Sequence, residues 1–149
     1  MGWSETVHAT DCSCSNCQTM RKMPVLGLNK LRDKALQIAE DHGFKDASIP
    51  EDFALMHSEI SEALEDYRDG HTSVQIWYEK KVEGCAIACD KYQDEDGTIN
   101  KPRGIPSEMA DLIIRVLHFC GKHKVNIEQA VQEKMLYNET RPYKHGKIL

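Results

Sequence analysis

Three stretches of this chain repeat apolar residues at helical spacing and a fourth opens on a capping pair, and no stretch alternates apolar residues at the period of a strand with a hairpin turn behind it. The first runs from Leu28 to His42, with Leu28, Leu31, Ala35, Ile38 and Ala39 on one face and Gly43 to end it. The second follows Ser48-Ile49-Pro50-Glu51, which supplies a serine cap, a proline in the first turn and an acid three residues on. It carries Leu55, Met56, Ile60, Ala63, Leu64 and Tyr67 and closes at Gly70. Another starts near Pro106-Ser107 and runs to Gly121 on Met109, Leu112, Ile113, Val116, Phe119 and Cys120, which predicts the most buried helix. Asn126 with Gln129 opens the last, from Ile127 to about Asn138. Residues 72–92 read as helical in part, and Asp94 to Gly104, with two glycines, a proline and five charges, reads as a loop. The expected fold class is all-α: a bundle of four or five helices over residues 26–149, preceded by an irregular cysteine-containing arm over residues 1–25.

A chain of 149 residues with 40% apolar content has room for one domain with a core. No apolar run approaches the roughly 18 residues of a membrane span, so no membrane association is expected. The opening Met1-Gly2-Trp3-Ser4-Glu5 has neither the basic start nor the apolar stretch of a secretory signal, so a cytoplasmic protein is expected, with reduced thiols. A formal charge of −5 argues against a general nucleic-acid binder, whose affinity comes from Lys and Arg on phosphates. Cys12, Cys14 and Cys17, with His8 upstream, could surround a zinc ion, but the spacing is not that of a paired knuckle. Cys85, Cys89 and Cys120 need no role beyond packing.

The charge is unevenly placed. Between Glu51 and Gly70 seven acids face Arg68 alone, whereas Lys134, Arg141, Lys144 and Lys147 of the tail face only Glu139. Two helices also share one device: Glu59-Ile60-Ser61-Glu62 in the second and Glu108-Met109-Ala110-Asp111 in the one before Gly121. Acids three apart lie about 60° apart on a helix, one turn above the other. Both pairs flank their apolar stripes in the same sense, so packing the stripes together brings four carboxylates to the rim of the core. Such a gathering repels itself and loses hydration, a cost that a hard divalent cation relieves. Lys134, Asn138 and Arg141 follow i, i+4, i+7 spacing and suit phosphate oxygens, although Lys134 alone could simply complement the helix dipole. Phe44, Trp77 and Tyr78 are candidate stacking surfaces for a base.

With these residues in place, the chain resembles the MazG-like members of the all-α nucleoside triphosphate pyrophosphatase superfamily. Three blocks carry the resemblance: Glu59 to Glu65, Gly104 to Arg115, and Lys134 to Lys147. It covers roughly Leu28 to Lys147. The resemblance implies hydrolysis of a nucleoside triphosphate, with deoxynucleotides favoured, to the monophosphate and pyrophosphate. It implies Mg²⁺, with Mn²⁺ as a substitute, on Glu59, Glu62, Glu108 and Asp111, and phosphates held by Lys134, Asn138, Arg141 and Lys144. Arg115 joins them as a further cation, and Glu62, or failing that Glu59, is the expected general base. It further implies a homo-oligomer, dimer or tetramer, in a bacterial cell or a phage-infected host. The gap from Glu62 to Glu108 is longer than in the simplest such domains, so residues 70–103 are an elaborated connection. Two alternatives stand beside this expectation. One is a dUTP- or phosphoribosyl-ATP-specific enzyme of the same superfamily. The other is a non-enzymatic helical module whose acidic groove and basic tail bind a partner protein.

Overall fold

The computed structural model describes residues 27–44 and 47–143. The arm expected over residues 1–25, with Cys12, Cys14 and Cys17, and Lys144 of the tail lie outside the described residues. Four helices form where the sequence predicts them, three from apolar spacing and the last from its cap: α1 (Leu28–Asp41), α2 (Ile49–Arg68), α3 (Ile105–Lys122) and α4 (Ile127–Glu139). Their starts are chemically defined. The Ser48 amide donates to Glu51 Oε2 at 2.6 Å, closing a capping box on α2, and the Gln129 amide donates to Asn126 Oδ1 at 3.2 Å on α4.

Helix α3 is the centre, with α1 and α2 packed on it, and its Leu117 and Cys120 are buried with Ala35 of α1 and Ala63 of α2. Gly121 makes the closest approach possible, since a Cβ there would stand 2.9 Å from Leu36 Cβ. The other end of the α2–α3 contact is polar: Lys122 Nζ donates to Asp52 Oδ2 at 2.8 Å and to the Ala47 carbonyl at 2.7 Å. Both side chains are largely buried, so removing either partner would strand a charge at a cost of about 3–5 kcal/mol. Helix α4 packs on α1, where Asn29 Nδ2 donates to Asn126 Oδ1 and Arg32 Nη1 to the Val125 carbonyl, each at 2.8 Å. Much apolar surface stays uncovered within one chain: Ile60, Leu64 and Tyr67 of α2 and Ile113 and Ile114 of α3 are all exposed. Ile113 was expected on the buried stripe and is 57% exposed instead.

The all-α expectation needs correction between α2 and α3. Trp77–Val82 (β1), Cys85–Cys89 (β2) and Lys101–Arg103 (β3) form an antiparallel sheet in the order β2-β1-β3. Residues 72–92, expected as partly helical, therefore hold a hairpin. It turns at Glu83-Gly84, both with positive φ (51° and 83°), as a two-residue primed turn requires. The sheet escapes a pattern search because little of it is buried: every residue of β2 except Cys89 is exposed, so no face enforces alternation. The expected loop from Asp94 to Gly104 contains β3 as an edge strand, the position that tolerates Pro102. It is tied down by Asn100, 2% exposed, whose amide donates to the Lys91 carbonyl at 2.9 Å and to Asp94 Oδ1 at 3.1 Å.

Candidate metal centre

The packing of α2 on α3 decides where the acids go. Glu59 lies mid-way along α2, Glu62 one turn later, and Glu108 in the first turn of α3. Each offers a carboxylate oxygen within 4.8 Å of the other two; Glu59 and Glu108 are buried and Glu62 is exposed. An octahedral Mg²⁺ with oxygens at about 2.1 Å spaces its ligands by roughly 3.0 to 4.2 Å. Three oxygens in this triangle thus fit one such ion with small side-chain adjustments, and the donor set is all hard oxygen. Asp111, one turn beyond Glu108, is half-buried and falls outside the triangle, although its charge is felt there.

The electrostatics are those of an unneutralised cluster. Burial first, then the Glu62 charge, pushes the Glu108 carboxyl above its ordinary range; Asp111 and Asp66 add to this and Arg103 opposes it. Its place in the first turn of a helix should favour the anion, and burial outweighs that dipole. Burial and then Glu59 likewise raise Asp111, against Lys101 and Arg115. The folded protein therefore holds these protons more tightly than the unfolded chain does. The cost of ionising the pair is absent below the unfolded carboxylate pKa and complete above the raised folded one. Glu108→Gln should accordingly raise the melting temperature of metal-free protein at pH 8, by about 4 °C for each kcal/mol relieved. The gain should shrink towards pH 5. Thermal melts in EDTA at the two pH values check this, and a lower melting temperature at pH 8 would contradict it.

Among the remaining expected site residues, Arg115 meets the cluster directly, its Nε donating to Glu59 Oε1. Lys134 and Asn138 lie on α4 and Arg141 just beyond it, all exposed. Lys134 Nζ sits 5.1 Å above the Tyr137 ring. Among the described residues no ion pair or hydrogen bond joins these three to the carboxylates. Trp77 stacks on His71 at 4.0 Å and Tyr78 meets Tyr92 edge-on at 5.8 Å, both in or beside the sheet. Phe44, 69% exposed, borders a cleft of ≈ 920 Å³ between the three longer helices. Ile38, Leu55 and Ile114 line that cleft, and Glu59, Asp111 and Arg115 form its polar wall.

Three residues that the sequence reading left aside also stand here. His118 lines the cleft with its Nε2 buried and unpartnered among the described residues, and burial holds the imidazole below its usual pKa. Arg103 Nη1 lies 3.8 Å from Glu108 Oε1, and Lys101 acts on Asp111. His118 lies roughly opposite the centre of the α3 apolar stripe by helical phase, so periodicity gave no signal for it. Arg103 and Lys101 gave no signal, because only the sheet carries them to the acids. Comparison with known proteins finds no matching family model, curated protein or solved structure.

Proposed function

We propose that this chain is a Mg²⁺-dependent nucleoside triphosphate pyrophosphohydrolase, converting a nucleoside triphosphate and water to the monophosphate and pyrophosphate. The observation that carries the reading is the convergence of Glu59, Glu62 and Glu108 from two helices, with Glu59 also lining an apolar cleft beside Asp111 and Arg115. The sequence resemblance to MazG-like enzymes supplies the reaction. Deoxynucleotides are the proposed substrates, and Mn²⁺ is the proposed substitute ion.

In this reading Glu59, Glu62 and Glu108 would hold the cation, and Asp111, one turn beyond Glu108 on α3, would add its charge to the set. A hard divalent cation there supplies charge neutralisation at the phosphates and lowers the pKa of nearby water. Glu62, the exposed member of the triangle, takes the proton of the water that attacks the α-phosphorus; pyrophosphate leaves as the α–β bridging P–O bond breaks. Arg115, ion-paired with Glu59, sets that carboxylate's orientation and adds positive charge at the wall where the phosphates lie. The cleft takes the base, with Phe44 at its rim and the neutral His118 imidazole facing a polar edge. Lys134, Asn138 and Arg141 then reach phosphates from a neighbouring subunit, because α4 packs on α1 within one chain. The exposed apolar residues of α2 and α3 support such a homo-oligomer.

The test is pyrophosphate release from a panel of canonical and modified nucleoside triphosphates, with Mg²⁺ and with EDTA. Metal-dependent release of pyrophosphate and the matching monophosphate is expected. Silence across the panel from folded protein that binds no Mg²⁺ would move the assignment to the interaction module.

A further inference from the structure

The sheet between α2 and α3 carries its own charges to the acids. Lys101 and Arg103 stand two residues apart on β3, hence on one face of that edge strand. Arg103 Nη1 is 3.8 Å from Glu108 Oε1 and its Nε is 3.7 Å from Glu79 Oε2 on the neighbouring β1. Neither contact is a hydrogen bond, so neither carboxylate commits the guanidinium's donors. Its backbone, by contrast, is fixed: Arg103 pairs with Trp77 in the ladder, and Gly104 locks the corner into α3.

Charge balance gives the arrangement a purpose. Glu59, Glu62, Glu108 and Asp111, set against Arg115 and one divalent cation, leave the site negative, and Asp66 adds to the deficit. That field repels a polyphosphate. Within one chain α4 packs on α1 and Lys134 stays exposed over Tyr137, so among the described residues β3 is the element outside α2 and α3 that brings positive charge to the acids.

The geometry points to Arg103, with Lys101 beside it, as a polyphosphate-binding residue: a guanidinium resting between Glu79 and Glu108 that turns to phosphate oxygens once Glu108 is neutralised. The role rests on the proposed reading of the acids as a metal centre, and it assigns the sheet a part in substrate binding. A planar fork suits it, since phosphate oxygens accept two parallel N–H bonds from arginine and only a point charge from lysine. Glu79 keeps the fork oriented while Glu108 releases it.

Inorganic tripolyphosphate is the probe, because it has no base and its binding needs no turnover. Calorimetry of the full chain in Mg²⁺ should show Arg103→Met binding it about tenfold or more weakly, the loss of a charge-assisted pair. Arg103→Lys should recover part of that, and Lys101→Met should cost less. Mg²⁺ affinity without tripolyphosphate should be unchanged or higher in Arg103→Met, since a competing cation has gone. In turnover KM should rise more than kcat falls. Unchanged tripolyphosphate binding in Arg103→Met, parallel loss of Mg²⁺ and tripolyphosphate binding, or wild-type protein that binds Mg²⁺ but no tripolyphosphate would each overturn the assignment. If tripolyphosphate binds as expected while no nucleotide is hydrolysed, the hydrolase reading fails and the role of Arg103 stands.

Discussion

Glu59→Gln is expected to lower metal-dependent turnover by about 10²–10³-fold, the scale of losing one positioned charge in an active site. The amide keeps the size of the side chain and one oxygen but loses the charge that a divalent cation requires. Arg115 loses its ion-pair partner in the variant, yet it is 39% exposed and water can take over, so the bundle should stay folded. The check is kcat/KM over a Mg²⁺ range, alongside circular dichroism. Activity near the wild-type level in a folded variant would contradict a centre built on Glu59.

Gly104→Ala should give the largest structural lesion outside the core. Gly104 has φ 109° and ψ 165°, a region that costs a residue with a Cβ about 1–3 kcal/mol. That Cβ would also fall against the Gln75 carbonyl, well inside contact distance, and 3.0 Å from Trp77 Cζ3. The corner must therefore open, moving Arg103 on one side and Glu108, four residues into the next turn, on the other. We expect a melting temperature lower by about 4 °C per kcal/mol and a Mg²⁺ affinity at least tenfold weaker. Ser107→Ala serves as the comparison. It removes only a 3.1 Å hydroxyl bond to the Pro102 carbonyl at the same corner, and should leave Mg²⁺ binding nearly intact. Wild-type Mg²⁺ affinity in Gly104→Ala would show that the corner does not position Glu108.

What the sequence made legible follows from what burial enforces. Helices α1 to α3 were readable because each turns one face to a neighbour; Ser48 marked the start of α2, and α4 was readable from its Asn126 cap although it buries no residue. The acids were readable for the same reason: Glu59 and Glu108 sit at fixed angles to stripes that pack together, and both are buried where that phase places them. Asp111 shares the phase but is not one of the three mutually close carboxylates, a distinction that periodicity does not encode. The sheet stayed hidden because Trp77 to Cys89 is largely solvent-facing and its turn uses Glu83 at positive φ, an unusual residue for that conformation. With the sheet went Arg103 and Lys101, whose place beside the acids depends on strand pairing across more than twenty residues. Lys134 and Asn138 were readable on α4, whereas Arg141 falls just beyond its end, and where all three stand relative to the cluster within one chain depends on α4 docking against α1.

The central claim is that water attacks the α-phosphorus at the Glu59, Glu62 and Glu108 centre. Its most direct test is turnover of a deoxynucleoside triphosphate in ¹⁸O-labelled water with Mg²⁺, followed by ³¹P NMR or mass spectrometry of the products. The account predicts one ¹⁸O in the monophosphate, unlabelled pyrophosphate, no labelled product when EDTA is present, and labelled monophosphate formed about 10²–10³-fold more slowly when Glu59→Gln replaces the wild type. Label in orthophosphate with a nucleoside diphosphate as the other product, or label in the pyrophosphate, would contradict it.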